Sequence, residues 1–141
     1  MSEKIGYTTG VFDLFHIGHL NLLRKAREKC DYLIVGVTTD ELVSYKHKKA
    51  VITFEERMKI VEAIRYVDQV VPQSDMNKFE AWERLKFDVM FVGDDWKGHP
   101  KWSEFEKQFS RVGVEITYFP YTKGTSSSLI NETLLKIRNE R

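Results

Sequence analysis

His16 and His19 stand three residues apart in the segment Gly10-Val-Phe-Asp-Leu-Phe-His-Ile-Gly-His19, with Gly18 between them. At that spacing both imidazoles fall on one side of an incipient helix, and Gly18 lets a ligand come close to the backbone. A helix start offers free N–H groups that attract phosphate, and imidazoles beside it can donate into the anion or stabilise charge on it. Spacing alone leaves three readings open: an anion-binding pair, two structural histidines, or part of a zinc site. The zinc reading lacks a nearby Cys or third His to complete the set. Neither G-x-G-x-x-G nor G-x-x-x-x-G-K-[ST] occurs in the segment, so a dinucleotide fingerprint and a P-loop are both unsupported.

Three further polar stretches carry groups of the same kind. "YKHKKA" holds Lys46, Lys48 and Lys49, either a solvated face or an anion-handling flap. Arg57 and Arg65 follow, eight apart and roughly on one side of the next helix, turned toward the same site or paired with Glu55 or Glu62. "VGDDWKGHPKW" presents Asp94 and Asp95 after a glycine. Such neighbours can bind a cation, accept sugar or glycerol hydroxyls, or cap the next segment, but they point to different sides and do not form a glycosidase pair. Trp96 and Trp102 there either stack on a base or pack. "YTKGTSSSLI" is a glycine turn with five hydroxyl side chains leading into a helix. Ser126 or Ser127 is its plausible N-cap, and Lys123 adds charge. Three of the four stretches thus converge on phosphate chemistry. No Ser/His/Asp order or activated Cys suggests hydrolysis through a covalent intermediate.

The elements that position these stretches are short apolar runs alternating with amphipathic patterns. Strands are expected at 5–12, 32–40, 69–72, 87–93 and 114–120. Helices are expected at 18–30, from the capping box Thr53–Glu56 through Val67, at 76–86, at 102–113 with Gly113 as C-cap, and at 126–141. Continuous apolar runs such as "YLIVGVTTD" mark strands covered on both faces. The alternation predicts one α/β domain over 1–141, a doubly wound parallel sheet of about five strands. In such sheets ligands bind beyond the carboxyl ends of the strands, at the switch point. The four polar stretches, 10–19, 40–50, 93–102 and 121–128, are the loops that leave those ends.

The bulk numbers agree. The chain has 141 residues, 42% hydrophobic and 30% charged, with 13% aromatics, a globular composition large enough for a sound core. A net charge of +1 argues against a general nucleic-acid binder. The single cysteine, Cys30, excludes an intrachain disulfide and reads as a small buried hydrophobe at a helix end. "MSEKIGYTTG" has no apolar h-region, and no apolar run approaches the roughly 20 residues of a membrane span, so a soluble, cytoplasmic protein is expected.

Taken together, the motifs resemble those of a known family. "GVFDLFHIGH" resembles the HxGH signature of the small cytidylyltransferases, within the HIGH/HxGH nucleotidyltransferases. "IRYVDQVVP", "VGDDWKG" and "TKGTSSS" resemble that family's other motifs, in the same order and with similar gaps, so the likeness covers about residues 5–135. It is strongest toward the branch that acts on glycerol 3-phosphate and supplies cell-wall and capsule precursors. The resemblance implies a Rossmann-like fold, a homodimer, and Mg²⁺-dependent transfer of CMP from CTP to a small phosphorylated alcohol, with release of pyrophosphate.

It also implies roles. His16 and His19 would contact the nucleotide phosphates and stabilise transition-state charge, with Gly10, Val11, Phe12 and Gly18 lining the nucleotide near that turn. Lys46 would act in catalysis and approach the acceptor phosphate, and Lys48 the triphosphate. Asp94 belongs to the nucleotide side; Asp95, Arg65 and Lys78 belong to the acceptor side. Tyr121, Thr122, Gly124, Ser126 and Ser127 would hold the nucleotide phosphates at the last helix. Two departures stand out: Val11 replaces a residue that is commonly Thr, and Tyr121-Thr-Lys-Gly-Thr-Ser-Ser replaces a pattern R-T-E-G-I-S-T. Tyr121 cannot supply a bidentate cationic fork, and Lys123 restores a charge two residues away. The competing readings are an adenylyltransferase acting on a sugar phosphate and a nucleotide-binding module without catalysis.

Overall fold

The computed structural model describes residues 3–45, 49–93, 97–120 and 127–139. Five strands, β1 (Ile5–Gly10), β2 (Tyr32–Thr38), β3 (Gln69–Gln73), β4 (Val89–Gly93) and β5 (Glu115–Phe119), form one sheet in the order β3-β2-β1-β4-β5. Every pairing is parallel. The chain runs outward from β1 through β2 to β3, then crosses to the other side of β1 for β4 and β5. The direction of winding therefore reverses between β1 and β4, whose carboxyl ends diverge there.

Among the described residues six helices accompany the strands: α1 (Ile17–Glu28), α2 (Asp40–Tyr45), α3 (Phe54–Glu62), α4 (Lys78–Leu85), α5 (Pro100–Arg111) and α6 (Ser127–Asn139). Alternate residues of the central strands feed two cores. Leu33, Val35, Val37, Val89 and Phe91 pack with Leu23 and Ala26 of α1 and Val61 of α3. Tyr7, Ile34, Met90 and Val92 pack on the opposite face with Ala81 of α4 and Trp102 and Phe109 of α5. Both pleat positions are buried, which is why β2 and β4 read as unbroken apolar runs rather than as alternation.

The expected doubly wound sheet is present, with differences at element ends. α2 lies where a loop is expected; among its described side chains Leu42 and Val43 are buried, too short a pattern to show a helical period. α3 stops at Glu62 instead of continuing to Val67, because the N–H groups of Ile64 and Val67 turn back to Val61 and Ile64, three residues earlier. Its N-cap is Thr53, whose hydroxyl accepts from the Glu56 N–H. α5 begins at Pro100, capped by His99, and Gly113 follows its end with φ of +76°. Cys30 is buried, its thiol donating to the Ala26 carbonyl 3.3 Å away.

Candidate active site

β1 ends in a tight turn held from several sides. A Cβ on Gly10 would sit 3.0 Å from the Phe12 ring, so the ring, folded back over the strand end, would have to shift by a few tenths of an ångström to admit a side chain there. Phe12 and Leu14 adopt φ of +55° and +49°, a conformation that costs a non-glycine residue on the order of 1–2 kcal/mol each. The turn persists because its neighbours over-determine it. Phe12 is 3% exposed in the core. Between them Asp13 accepts from the N–H groups of Val51 (2.8 Å) and Ile52 (2.9 Å). Arg57, fully buried, donates to the carbonyls of Val11 (2.7 Å), Thr38 (2.7 Å) and Ile52 (2.9 Å) and pairs with Asp40. The Phe54 N–H and that guanidinium hold the Asp40 carboxyl below the usual carboxylate range.

The turn delivers the histidines to the start of α1. His16 is the N-cap, its Nδ1 accepting from the Gly18 N–H at 3.0 Å, while His19 Nδ1 accepts from the His16 N–H at 3.2 Å. Each ring is thereby oriented by a backbone donor, and the two stack with centroids 3.9 Å apart. An Nδ1 that accepts is unprotonated, so each neutral ring carries its proton on Nε2 and presents a donor there. Burial, the neighbouring His16 and, in opposition, Asp13 set the His19 pKa at about 4; burial also lowers that of His16. Both rings are therefore neutral near pH 7 and meet an anion as hydrogen-bond donors, not as fixed cations. No acidic residue lies in the first turn of α1, which leaves the positive end of its dipole uncancelled.

Beside this turn lies a cavity of about 750 Å³ at the carboxyl ends of the strands. Its walls include Thr8, Thr9, Gly10 and Val11 from β1 and its exit, Met90–Gly93 from β4, and Trp102 and Phe105 from α5. Thr38, Gln73 and Lys78 line it from the β2–β3 side. Lys78, at the first position of α4, is 5% exposed and donates from Nζ to the Thr9 hydroxyl at 3.0 Å. A buried ammonium facing a cavity at the switch point suits an anionic ligand. Among the described residues no group of three His, Cys, Asp or Glu side chains is arranged to hold a metal ion.

A profile of the Cytidylyltransferase-like family matches residues 7–133. The chain belongs to that family. Among its relatives, the glycerol-3-phosphate cytidylyltransferase of Staphylococcus aureus (strain NCTC 8325 / PS 47) is 41% identical over 128 residues, covering 90% of this chain and 92% of the other. The glycerol-3-phosphate cytidylyltransferase of Bacillus subtilis (strain 168) is 40% identical over 134 residues, covering 90% and 94%. Among solved structures, a lipopolysaccharide core biosynthesis protein from Thermoplasma volcanium GSS1 superposes with a TM-score of 0.72 at 19% identity, over 88% of this chain and 100% of that one. That likeness shows the Rossmann-like fold.

In this family member the expected site residues fall into three groups. Gly10, Val11 and Lys78 are on the cavity wall, and His16 and His19 head the helix that follows. Gly18 is in that first helical turn with its N–H already taken by His16, and Phe12 faces the core rather than the cavity. Arg65 is not brought to this end. It is exposed, beyond the C-terminus of α3 and before β3, and so lies at the amino ends of the strands with its guanidinium 5.9 Å from the Tyr66 ring centre. α3 runs antiparallel to the strands, so Arg57 in its first turns and Arg65, just past its end, belong to opposite ends of the sheet. Arg57 pairs with Asp40, not with Glu55 or Glu62. Lys46, Lys48, Asp94, Asp95, Tyr121, Thr122, Gly124 and Ser126 lie outside the described residues; Ser127 opens α6.

Sequence reasoning passed over Asp13, Thr38 and Gln73, and read Arg57 as a helix-face cation rather than as the buried brace of the turn. Asp13 had a local signal, a lone carboxylate between Phe12 and Leu14 in a turn. Thr38 and Gln73 had none, because they meet each other across 35 residues of chain, and Thr38 meets Arg57 across 19.

Proposed function

We propose that the protein transfers CMP from CTP to glycerol 3-phosphate, forming CDP-glycerol and pyrophosphate. The observation that carries this reading is the pair of neutral, backbone-oriented imidazoles at the start of α1, beside a cavity containing a buried lysine. The names of the two bacterial relatives, both glycerol-3-phosphate cytidylyltransferases matched over nearly their whole length, support the nucleotide and the acceptor.

In the proposed reaction a phosphate oxygen of the acceptor attacks the α-phosphorus of CTP in line. The bond from that phosphorus to the bridging oxygen breaks, and pyrophosphate leaves with the electron pair. No covalent enzyme intermediate is needed. Negative charge spreads over the transferring phosphoryl oxygens and the leaving group, and preorganised donors lower the barrier most where that charge develops. The Nε2–H groups of His16 and His19 and the N-terminus of α1 supply such donors, while Lys78 draws the acceptor into the cavity. Lys46, Lys48, Asp94, Asp95 and the 121–127 stretch would complete the binding of the two substrates. Mg²⁺ enters as part of the nucleotide substrate and neutralises phosphate charge. The further proposals are a homodimer working in the cytoplasm and a product that feeds cell-wall or capsule synthesis.

The test is pyrophosphate release with Mg²⁺, crossing CTP and ATP against glycerol 3-phosphate and other small phosphates. Release that needs CTP and glycerol 3-phosphate together is expected. Release supported by ATP alone, or CTP binding with no release in any combination, overturns the proposal.

A further inference from the structure

The cavity contains a second oriented group that the reaction above does not use. Gln73, the last residue of β3, is 6% exposed. Its Oε1 accepts from the buried Thr38 hydroxyl at 2.7 Å, and its own carbonyl accepts from the Thr39 N–H at 3.0 Å. The amide is thus fixed at both its backbone and its oxygen. Among the described residues no buried side-chain nitrogen or oxygen lacks a partner, and the described hydrogen bonds of the Gln73 side chain engage Oε1 only. Its Nε2 therefore keeps accessible surface, and Gln73 is part of the cavity wall.

Strand geometry puts Gln73 on the same face of the sheet as Lys78. Thr38 and Gln73 are register partners on β2 and β3. Thr38 shares its pleat direction with Ile34 on β2, and Thr9 shares that of Tyr7 on β1, both on the face covered by α4 and α5. Lys78 reaches Thr9 from that same side. One face of the sheet therefore ends in a fixed N–H₂ donor and a buried ammonium. This arrangement suits a ligand that offers oxygen lone pairs, a hydroxyl beside a phosphate.

We propose that Gln73 is a specificity-determining residue whose Nε2 donates to a hydroxyl of the phosphorylated polyol acceptor, with Thr38 locking the amide in that orientation. The inference rests on the acceptor reading given above. A site that hydrogen-bonds a substrate hydroxyl discriminates against analogues lacking it, because its own polar group is then left unpaired.

The experiment compares kcat/KM for glycerol 3-phosphate with that for its two deoxy analogues, 1,2-propanediol 1-phosphate and 1,3-propanediol phosphate, in wild type, Gln73→Met and Thr38→Val. Wild type should prefer glycerol 3-phosphate over at least one analogue, and in Gln73→Met that preference should shrink by about tenfold or more, with the Kd for CTP unchanged. Thr38→Val, which keeps the volume and frees the amide to rotate, should shrink it less. An unchanged ratio in Gln73→Met, with the wild type active on glycerol 3-phosphate, overturns this assignment alone. A wild type inactive with all three polyol phosphates overturns the acceptor reading and this inference with it.

Discussion

At the β1–α1 turn the two imidazoles, His16 and His19, are three residues apart and hold each other through the backbone between them. On the cavity floor Thr9, Thr38, Gln73 and Lys78 come from four different elements and meet only when the sheet and α4 assemble. The first region is a local device: a helix cap whose hydrogen bonds also fix the tautomers. The second is a tertiary device, in which strand register brings distant polar groups to one sheet face. Arg57 joins them, since one nitrogen, Nη1, donates both to Val11 at the turn and to Thr38 at the floor.

Removing that joint should have the largest effect on stability. Asp40 is 49% exposed at its side chain, so the ion pair itself contributes little; the three carbonyls left without a donor, that of Thr38 buried and those of Val11 and Ile52 partly so, decide the cost. Arg57→Met should lower unfolding free energy by on the order of 3 kcal/mol, read from urea midpoints.

Activity separates the regions next. His16→Asn and His19→Asn keep an acceptor oxygen near the Nδ1 position and delete the Nε2 donor, so the cap survives without its chemistry. Turnover should fall at least about tenfold, roughly 1.4 kcal/mol of barrier, with little change in stability. Near-wild-type kcat in both variants would remove the histidines from the reaction. Lys78→Met should act differently, raising the acceptor KM about tenfold while CTP affinity, measured by calorimetry, stays put.

Acid sharpens the same contrast. Unfolded His19 binds a proton near pH 6.5, whereas the folded ring resists protonation down to about pH 4. Between those values the unfolded state binds more protons, so stability is full above about pH 6.5 and falls as pH drops toward 4. Wild type should lose about 1–2 kcal/mol from pH 7 to pH 5 through this group. His19→Asn should show a flatter acid limb in denaturant titrations, and an unchanged slope would mean that another group controls it. The smallest effect expected is that of Thr53→Ala, which removes the α3 cap at a cost of about 1 kcal/mol and leaves kcat/KM unchanged.

What was readable in the chain follows the same division. The parallel α/β sheet, the histidine turn and the α3 cap were legible because each is written in neighbouring residues: apolar runs, an i, i+3 pair, a Thr–Glu spacing. Where local signals were weak the boundaries shifted, as at α2, with two buried apolar residues, and at the end of α3, where the apolar pattern runs on after the backbone has turned. Arg57 and Arg65 show the limit most clearly. Helical spacing put them on one side, yet one is a fully buried structural cation and the other is exposed at the far end of the sheet. Periodicity specifies a direction around a helix axis and is silent on depth and on which end of the strands is near. The sequence by itself determined the elements and the paired imidazoles, because those depend on short-range sterics and backbone hydrogen bonding. Only the tertiary structure decided that Thr38 meets Gln73, that Lys78 meets Thr9, and that Arg57 binds the two regions together, because burial and strand register are properties of the assembled sheet.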